Sequence, residues 1–245
     1  MTREIVRQAG ILVGGKGTRL GDLTRATPKP LLALDGATVF LDVVIGQVAR
    51  HGFTDIVLLA GHLGEAVRER YDGRSAGAAR IRVVVEPSPR GTAGALAAAE
   101  DILAPRFLLL NGDSFFDIDL RAFCGGEPAA DAEALLALRL MPDARRYGAA
   151  IVEGERIVRF SEKGETVGPA LISAGIYLLQ ADIVDRIHAL PCSLETDVFP
   201  LLAEERRLYG RICQGYFIDI GLPESLQQAR RELAAAAKWP AGAVP

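Results

Sequence analysis

The stretch ILVGGKGTRL concentrates groups that hold an anion. Gly14, Gly15 and Gly17 let a backbone turn tightly and come close to a ligand. Lys16 and Arg19 supply two positive charges, and the Thr18 hydroxyl stands between them where a helix could begin. Backbone N–H groups, a hydroxyl and two cations on one turn are the makings of a phosphate site. Two common phosphate loops fit it poorly. The pattern G-x-x-x-x-G-K-[ST], started at Gly10, meets Gly15 and Lys16 but finds Gly17 where its metal-binding hydroxyl belongs, and it would put the apolar run 11–13 inside the loop. The dinucleotide pattern G-x-G-x-x-G fits Gly15 and Gly17 but reaches Gly21 one place late, and no acidic residue closing a second strand follows about 20 residues on. A plain glycine-rich surface turn is the alternative reading.

Two aspartates carry the other candidate chemistry. Asp113 closes the apolar run RFLLLNGD, and Asp219 sits between Ile218 and Ile220 in FIDIG, where an unpaired carboxylate is costly to bury. Each needs a partner: a helix end, a basic residue or a bound cation. Asp117 and Asp119 in FFDIDL read as turn and helix-start residues. His51, His62 and His188 fall in no catalytic pattern. Cys124, Cys192 and Cys213 are an odd number without C-x-x-C spacing, which indicates neither a disulfide framework nor a zinc site.

These groups must be positioned by the surrounding elements, which alternate. FLDVVIGQVARHG places Leu41, Val44, Ile45 and Val48 on one helical face, DIVLLAG reads as a buried strand, GEAVRERY as a short helix and RIRVVVE as a strand. TAGALAAAEDIL follows as an alanine-rich helix, then RFLLLNGD as a strand. This rhythm predicts an α/β fold, a Rossmann-like, doubly wound, mostly parallel sheet with ligands beyond the carboxyl ends of its strands. From about residue 134 the rhythm changes: ALLALRLM precedes YGAAIVEGERIVRFSEK, two apolar runs around Glu153, Gly154 and Glu155 that predict a small β-hairpin extension covering one side of the site. Strand LISAGIYLL, helices around DIVDRIHAL and LETDVFPLLAEE, strand YFIDIG and helix PESLQQARRELAAAA complete the chain.

With 245 residues, 49% apolar and 24% charged, the chain can bury a substantial core as a single domain over 1–245, residues 238–245 reading as a loose tail. A net charge of -3 argues against a general nucleic-acid or membrane-surface binder, so an anionic ligand must be met by local cations. No apolar run reaches the roughly 18 residues of a membrane span, and MTREIVRQAG lacks the apolar core of a signal peptide, so the expected location is the cytoplasm.

The segment LVGGKGTRLGDLTRATPKPLLAL resembles the amino-terminal signature of the sugar-phosphate nucleotidyltransferases, which join a nucleoside triphosphate to a sugar 1-phosphate and release pyrophosphate. PRGTAGAL, LLNGDSFFDIDL, FSEK, SAGIYLL, LETDVFP and FIDIGLPESL resemble that family's later motifs in the same order, so the likeness spans nearly the whole chain. The resemblance implies the family's nucleotide-diphospho-sugar transferase fold. It also implies that Leu12, Gly14, Gly15, Gly17 and Thr18 wrap the triphosphate, that Arg19 binds its pyrophosphate portion, and that Lys29, stiffened by Pro28 and Pro30, reaches the α-phosphate. Asp113 and Asp219 become ligands of Mg2+, a cation that prefers oxygen donors and commonly takes one or two carboxylates with substrate phosphates. Arg19, Lys29 and Asp113 are the expected catalytic residues. Gly91, Thr92 and Gly94 would serve the nucleoside, with Glu86 the one nearby carboxylate able to accept from a guanine; a solvated strand-end residue is its plainer reading.

On the sugar side the implied residues are Gly148, Glu162, Lys163, Gly175, Glu195 and Asp197, with Lys163 on the sugar phosphate and with a place in the metal shell as the alternative for Gly148, Gly175, Glu195 and Asp197. Here the chain departs from its relatives: Gly164 replaces the proline that often follows the E-K pair, and Ser173 replaces the asparagine often preceding A-G-I-Y. Within the family the sequence is most similar to the guanylyltransferases that act on D-glycero-α-D-manno-heptose 1-phosphate. Mannose 1-phosphate guanylyltransferases and uridylyl- or thymidylyltransferases of the same fold are the neighbouring alternatives. A catalytically silent, nucleotide-sugar-binding regulatory subunit is an alternative of another class, disfavoured by the joint presence of Arg19, Lys29, Asp113, Asp219 and Lys163. The expected partners are an NTP and a sugar 1-phosphate, with a homo-oligomer possible and neither nucleic acid nor membrane.

Overall fold

The computed structural model describes residues 5–233 except Lys16, Glu127, Pro128 and Lys163. Its strands are β1 (Gln8–Leu12), β2 (Asp55–Ala60), β3 (Ser75–Ala76), β4 (Ala79–Val85), β5 (Arg106–Asn111), β6 (Ser114–Phe116), β7 (Ala134–Met141), β8 (Ala150–Glu153), β9 (Arg156–Phe160), β10 (Ala170–Gln180), β11 (Leu208–Ile212) and β12 (Phe217–Asp219). Its α-helices are α1 (Phe40–Arg50), α2 (Gly64–Tyr71), α3 (Gly91–Ala97), α4 (Leu120–Gly125), α5 (Phe199–Glu204) and α6 (Pro223–Glu232).

The strands rich in Val, Ile and Leu are apolar on both faces, which forces cover on both sides of the sheet. Along β2, Ile56, Leu58 and Ala60 enter one core with Val44, Ile45 and Val48 of α1, while Val57 and Leu59 enter a second core with Leu96 of α3 and Phe199 and Leu202 of α5. β5 divides in the same way, Leu108 and Leu110 to the first core and Phe107 and Leu109 to the second. Each such side chain contributes about 1.5–3 kcal/mol when fully buried.

Ten strands form one sheet in the order β3-β4-β2-β1-β5-β10-β7-β11-β9-β8. The block β4-β2-β1-β5 is parallel, and the strand order reverses at β1, which pairs with β2 on one side and β5 on the other. An α/β sheet binds ligands outside the carboxyl ends of its strands at such a reversal. β10 then runs antiparallel to both β5 and β7, β11 lies parallel to β7, and the predicted hairpin, β8 with β9, continues the sheet through β9 at its far edge. β6 and β12 pair separately as a two-stranded ribbon.

Four local expectations are corrected. The glycine turn leads into a 3-10 segment, Thr18–Thr24, broken at Gly21 (φ 56°, ψ -124°), so no α-helix begins at Thr18. The alanine-rich helix stops at Ala97 and resumes only as the 3-10 turn Glu100–Ile102. The stretch around DIVDRIHAL forms only the 3-10 turn Ala181–Arg186, because Ile183 alone is buried there and no apolar stripe holds an α-helix down. A π-type turn, Leu194–Val198, precedes α5. The expected tail, 238–245, lies outside the described residues. Among the described residues no helix is long and apolar enough to cross a membrane.

Candidate active site

The register of the parallel block places the two main motifs side by side. Leu12 at the end of β1 faces Asn111 at the end of β5, and Gly112 donates its N–H to the Leu12 carbonyl at 2.9 Å. The glycine turn and the N-G-D segment therefore leave the sheet together. Gly17 takes φ 61°, and a Cβ there would stand 2.8 Å from Cγ2 of Thr24 and 3.2 Å from Cβ of Lys29. A larger residue at this position would be strained and would push the turn off the proline-flanked segment. Thr24 fastens the arrangement from within, its hydroxyl donating to the carbonyls of Gly17 (3.0 Å) and Gly21 (3.2 Å). Thr18 and Arg19 face solvent at the open side of the turn, while Lys16 lies outside the described residues.

Pro28 and Pro30 hold Lys29 in the short turn Lys29–Leu31. Its side chain is buried, and Nζ lies 2.7 Å from Oδ2 of Asp113. The β6–β12 ribbon then brings the second aspartate to the first: Asp219 is in register with Ser114, and the N–H of Ile220 donates to the Asp113 carbonyl at 2.9 Å. Oδ1 of Asp219 accepts from the Gly221 N–H at 2.9 Å and meets the Arg146 guanidinium at 3.5 Å, and Oδ2 accepts from the Tyr147 hydroxyl. A Cβ on Gly221 would stand 3.6 Å from Nζ of Lys29, which places that cation beside the Asp219 turn as well.

Beside Asp113 opens a pocket of about 280 Å³. Leu12, Gly14, Gly15, Glu86, Gly91, Thr92 and Asp113, all expected on the nucleotide side, line it together. Gly91 has φ 81° and no room for a Cβ, which would stand 2.2 Å from the Cys192 carbonyl oxygen. Gly94 does not reach the pocket; it is buried inside α3 against Arg90 and Leu190. Glu86 is half-buried. One of its oxygens packs over Gly61 and Gly14, the other accepts from the Arg90 N–H at 3.2 Å, and burial raises its pKa above the ordinary glutamate range despite that bond.

The residues expected on the sugar side are dispersed. Glu195 lines the nucleotide-side pocket, accepting from the hydroxyls of Thr92 (2.7 Å), Ser193 (3.0 Å) and Tyr177 (3.3 Å). Asp197 turns away and accepts from the Ser193 N–H at 2.6 Å, closing its own turn. Gly148 backs onto the Ser161 carbonyl, and Glu162 follows β9 with its N–H on Glu165. Gly175, φ 74°, occupies the irregularity where the β10–β7 register shifts, and a Cβ there would crowd Ser114 and Asn111. Lys163 lies outside the described residues.

With this geometry in place, the comparisons decide the family: residues 8–236 match the nucleotidyl transferases. The chain belongs to that family. It is 31% identical to the D-glycero-alpha-D-manno-heptose 1-phosphate guanylyltransferase of Aneurinibacillus thermoaerophilus over 92% of this chain and 98% of that one. It is 32% identical to the Xenopus laevis mannose-1-phosphate guanyltransferase beta-B over 89% of this chain, but spans only 62% of that protein's length. Among solved structures, HddC from Yersinia pseudotuberculosis, crystallised with GMP-PN, superposes with a TM-score of 0.79 at 25% identity, covering 93% of this chain and all (100%) of that one.

In this nucleotidyl transferase several site residues escape sequence reasoning. Asn111 lines the pocket with its Oδ1 buried and without a protein partner. Thr24 acts only through the backbone it fastens, and Arg146 and Tyr147 reach Asp219 from 73 and 72 residues away. For a metal, the donor set is two carboxylates on neighbouring strand ends, oxygen only, and among the described residues no group of three or more His, Cys, Asp or Glu gathers. That set fits Mg2+ with substrate phosphate oxygens and water completing its shell, and it does not fit zinc.

Proposed function

We propose that the protein transfers a nucleoside monophosphate from GTP to a sugar 1-phosphate, releasing pyrophosphate, with D-glycero-α-D-manno-heptose 1-phosphate as the acceptor. The observation that carries this reading is the meeting of Lys29, Asp113 and Asp219 beside a pocket that Asp113 and the glycine turn line together. An acceptor phosphate oxygen attacks the α-phosphorus as the bond to pyrophosphate breaks. Two polyanions must therefore be held together while charge moves to the leaving group, and the protein's work is positioning and neutralisation.

Backbone N–H groups of residues 14–18 and the Arg19 guanidinium hold the β- and γ-phosphates. Lys29, pre-placed by two prolines, meets the charge at the α-phosphate. Asp113 and Asp219 would hold Mg2+, which supplies neutralisation of the triphosphate and of the pyrophosphate as it leaves. Thr92 and Glu195 fix the pocket wall on which the nucleoside rests.

Glu86 supports guanine. A carboxylate on the pocket wall pairs with the ring N–H and the exocyclic amine of guanine, whereas uracil and thymine offer one ring N–H and no amine. The heptose reading is supported by the relative that is matched along nearly all of its length. Mannose 1-phosphate is the second reading, favoured by the similarly identical mannose-1-phosphate guanyltransferases. The test is kcat/KM for GTP, UTP, dTTP, CTP and ATP with each sugar phosphate. GTP ahead of the pyrimidines by about ten-fold or more is expected, and a preference for UTP or dTTP overturns the guanine reading.

A further inference from the structure

Both aspartates already have a positively charged partner from the protein. Nζ of Lys29 is 2.7 Å from Asp113, and the Arg146 guanidinium is 3.5 Å from Oδ1 of Asp219. Two carboxylates and two cations cancel. Asp219 is the more fully engaged, since Gly221 N–H and Arg146 share Oδ1 and the Tyr147 hydroxyl sits on Oδ2, leaving little of a carboxylate's acceptor capacity open. Arg139, a further cation near the ribbon, is stacked on Phe116 and Phe217 and donates to the Gly215 carbonyl.

Arg146 and Tyr147 belong to the segment 142–149 that leads from β7 into the hairpin. That segment is pinned at its far end, where the Ala149 N–H donates to Oγ of Ser161 at 3.1 Å and Ala149 bridges to Ile172. At its near end it meets the catalytic ribbon through Asp219 and through the edge of the Tyr147 ring against Phe217, centroids 6.4 Å apart. Arg146 lies 5.7 Å over the Tyr147 ring, so the two side chains form one unit. Arg146 is half-exposed and Tyr147 partly buried.

We propose that Arg146 and Tyr147 are positioning residues that act as an internal substitute for the divalent cation at Asp219. They offset the charge of Asp219 in the ligand-free site and are displaced toward the acceptor phosphate when the cation arrives with the triphosphate. This rests on the reading of Asp113 and Asp219 as metal ligands. A dication and a guanidinium compete for one carboxylate, so free cation binds weakly to the empty protein. The triphosphate, bringing its own negative charge, lifts that competition. Once released, a guanidinium and a hydroxyl are suited to a phosphate monoester on the sugar side.

The test is direct titration of the protein with Mn2+, followed by electron paramagnetic resonance without any substrate. Tyr147→Phe removes the hydroxyl on Oδ2 and is expected to bind Mn2+ about five-fold more tightly than the wild type. Arg146→Gln, a half-exposed position that leaves folding intact, is expected to gain about two- to three-fold. Both variants are expected to show a raised KM for the sugar 1-phosphate. A merely structural role predicts weaker Mn2+ binding or none of these gains. Unchanged or weaker binding in both variants, with Asp219→Asn abolishing the wild-type signal, overturns the internal substitute and leaves the metal ligands standing. Mn2+ binding that survives Asp219→Asn overturns both.

Discussion

The two sides of the crevice are built in different ways. On the side of β1, β2, β4 and β5, the glycine turn, Glu86 and the Asn111–Asp113 segment follow the ends of parallel strands, and the ladder sets their spacing. On the other side, Arg146, Tyr147, Gly148 and Glu162 lie on loops around an edge hairpin, and Arg146 and Tyr147 meet the ribbon by side-chain contacts alone. A backbone ladder holds its groups before any ligand is present, whereas side-chain contacts to a carboxylate can be exchanged for a ligand. Under the proposed function, the first arrangement suits an invariant triphosphate and the second a varied acceptor.

The contrast predicts a graded set of defects. The largest is expected where the sides meet: Asp113→Asn or Asp219→Asn should lower kcat by about a hundred-fold or more with the melting temperature little changed, since each sits where charge develops. Turnover and differential scanning calorimetry check this, and full activity in excess chelator would contradict it. Next, Lys29→Ala should act mainly on kcat, whereas Lys163→Ala should act mainly on the KM of the sugar phosphate. Steady-state kinetics with each substrate varied separates the two, and a change below about two-fold in both parameters for Lys29→Ala would remove it from the chemistry.

The smallest effect is on base choice. Glu86→Gln should cut the preference for GTP over UTP by about ten-fold, because one acceptor becomes a donor facing the guanine amine. Burial raises the Glu86 pKa, so its ionised form is lost at a higher pH than that of an ordinary glutamate. The KM for GTP should therefore rise as pH falls, beginning above the usual carboxylate range, and the Glu86→Gln variant should lack that rise. A pH series of KM in both proteins decides it.

The same contrast explains what could be read from residues alone. The strands other than β3, β6 and β11, together with α1, the hairpin and the glycine turn, are local patterns: a period of two, a period of three to four, or clustered glycines. Lys29 and Asp113 were legible because their flanking prolines and strand end are neighbours in the chain. Thr18 misled because its good helix-start position is followed within one turn by Gly21 in a conformation that no helix tolerates. The bond of Glu195 to Thr92, 103 residues earlier, was not legible, because only the packing of α3 against the Leu194–Val198 turn creates it. Arg146 and Tyr147 carry no mark of their own, because a basic residue before a tyrosine on an exposed loop is ordinary until Asp219 is brought beside it.

The most direct measurement is mass spectrometry of the products formed by the wild-type protein with GTP, Mg2+ and D-glycero-α-D-manno-heptose 1-phosphate or mannose 1-phosphate, with pyrophosphate measured alongside. A GDP-sugar and pyrophosphate in equal amounts, lost together in Asp113→Asn, is the expected result. GDP with inorganic phosphate, or no product from any nucleotide and sugar phosphate pair, would contradict nucleotidyl transfer at this site.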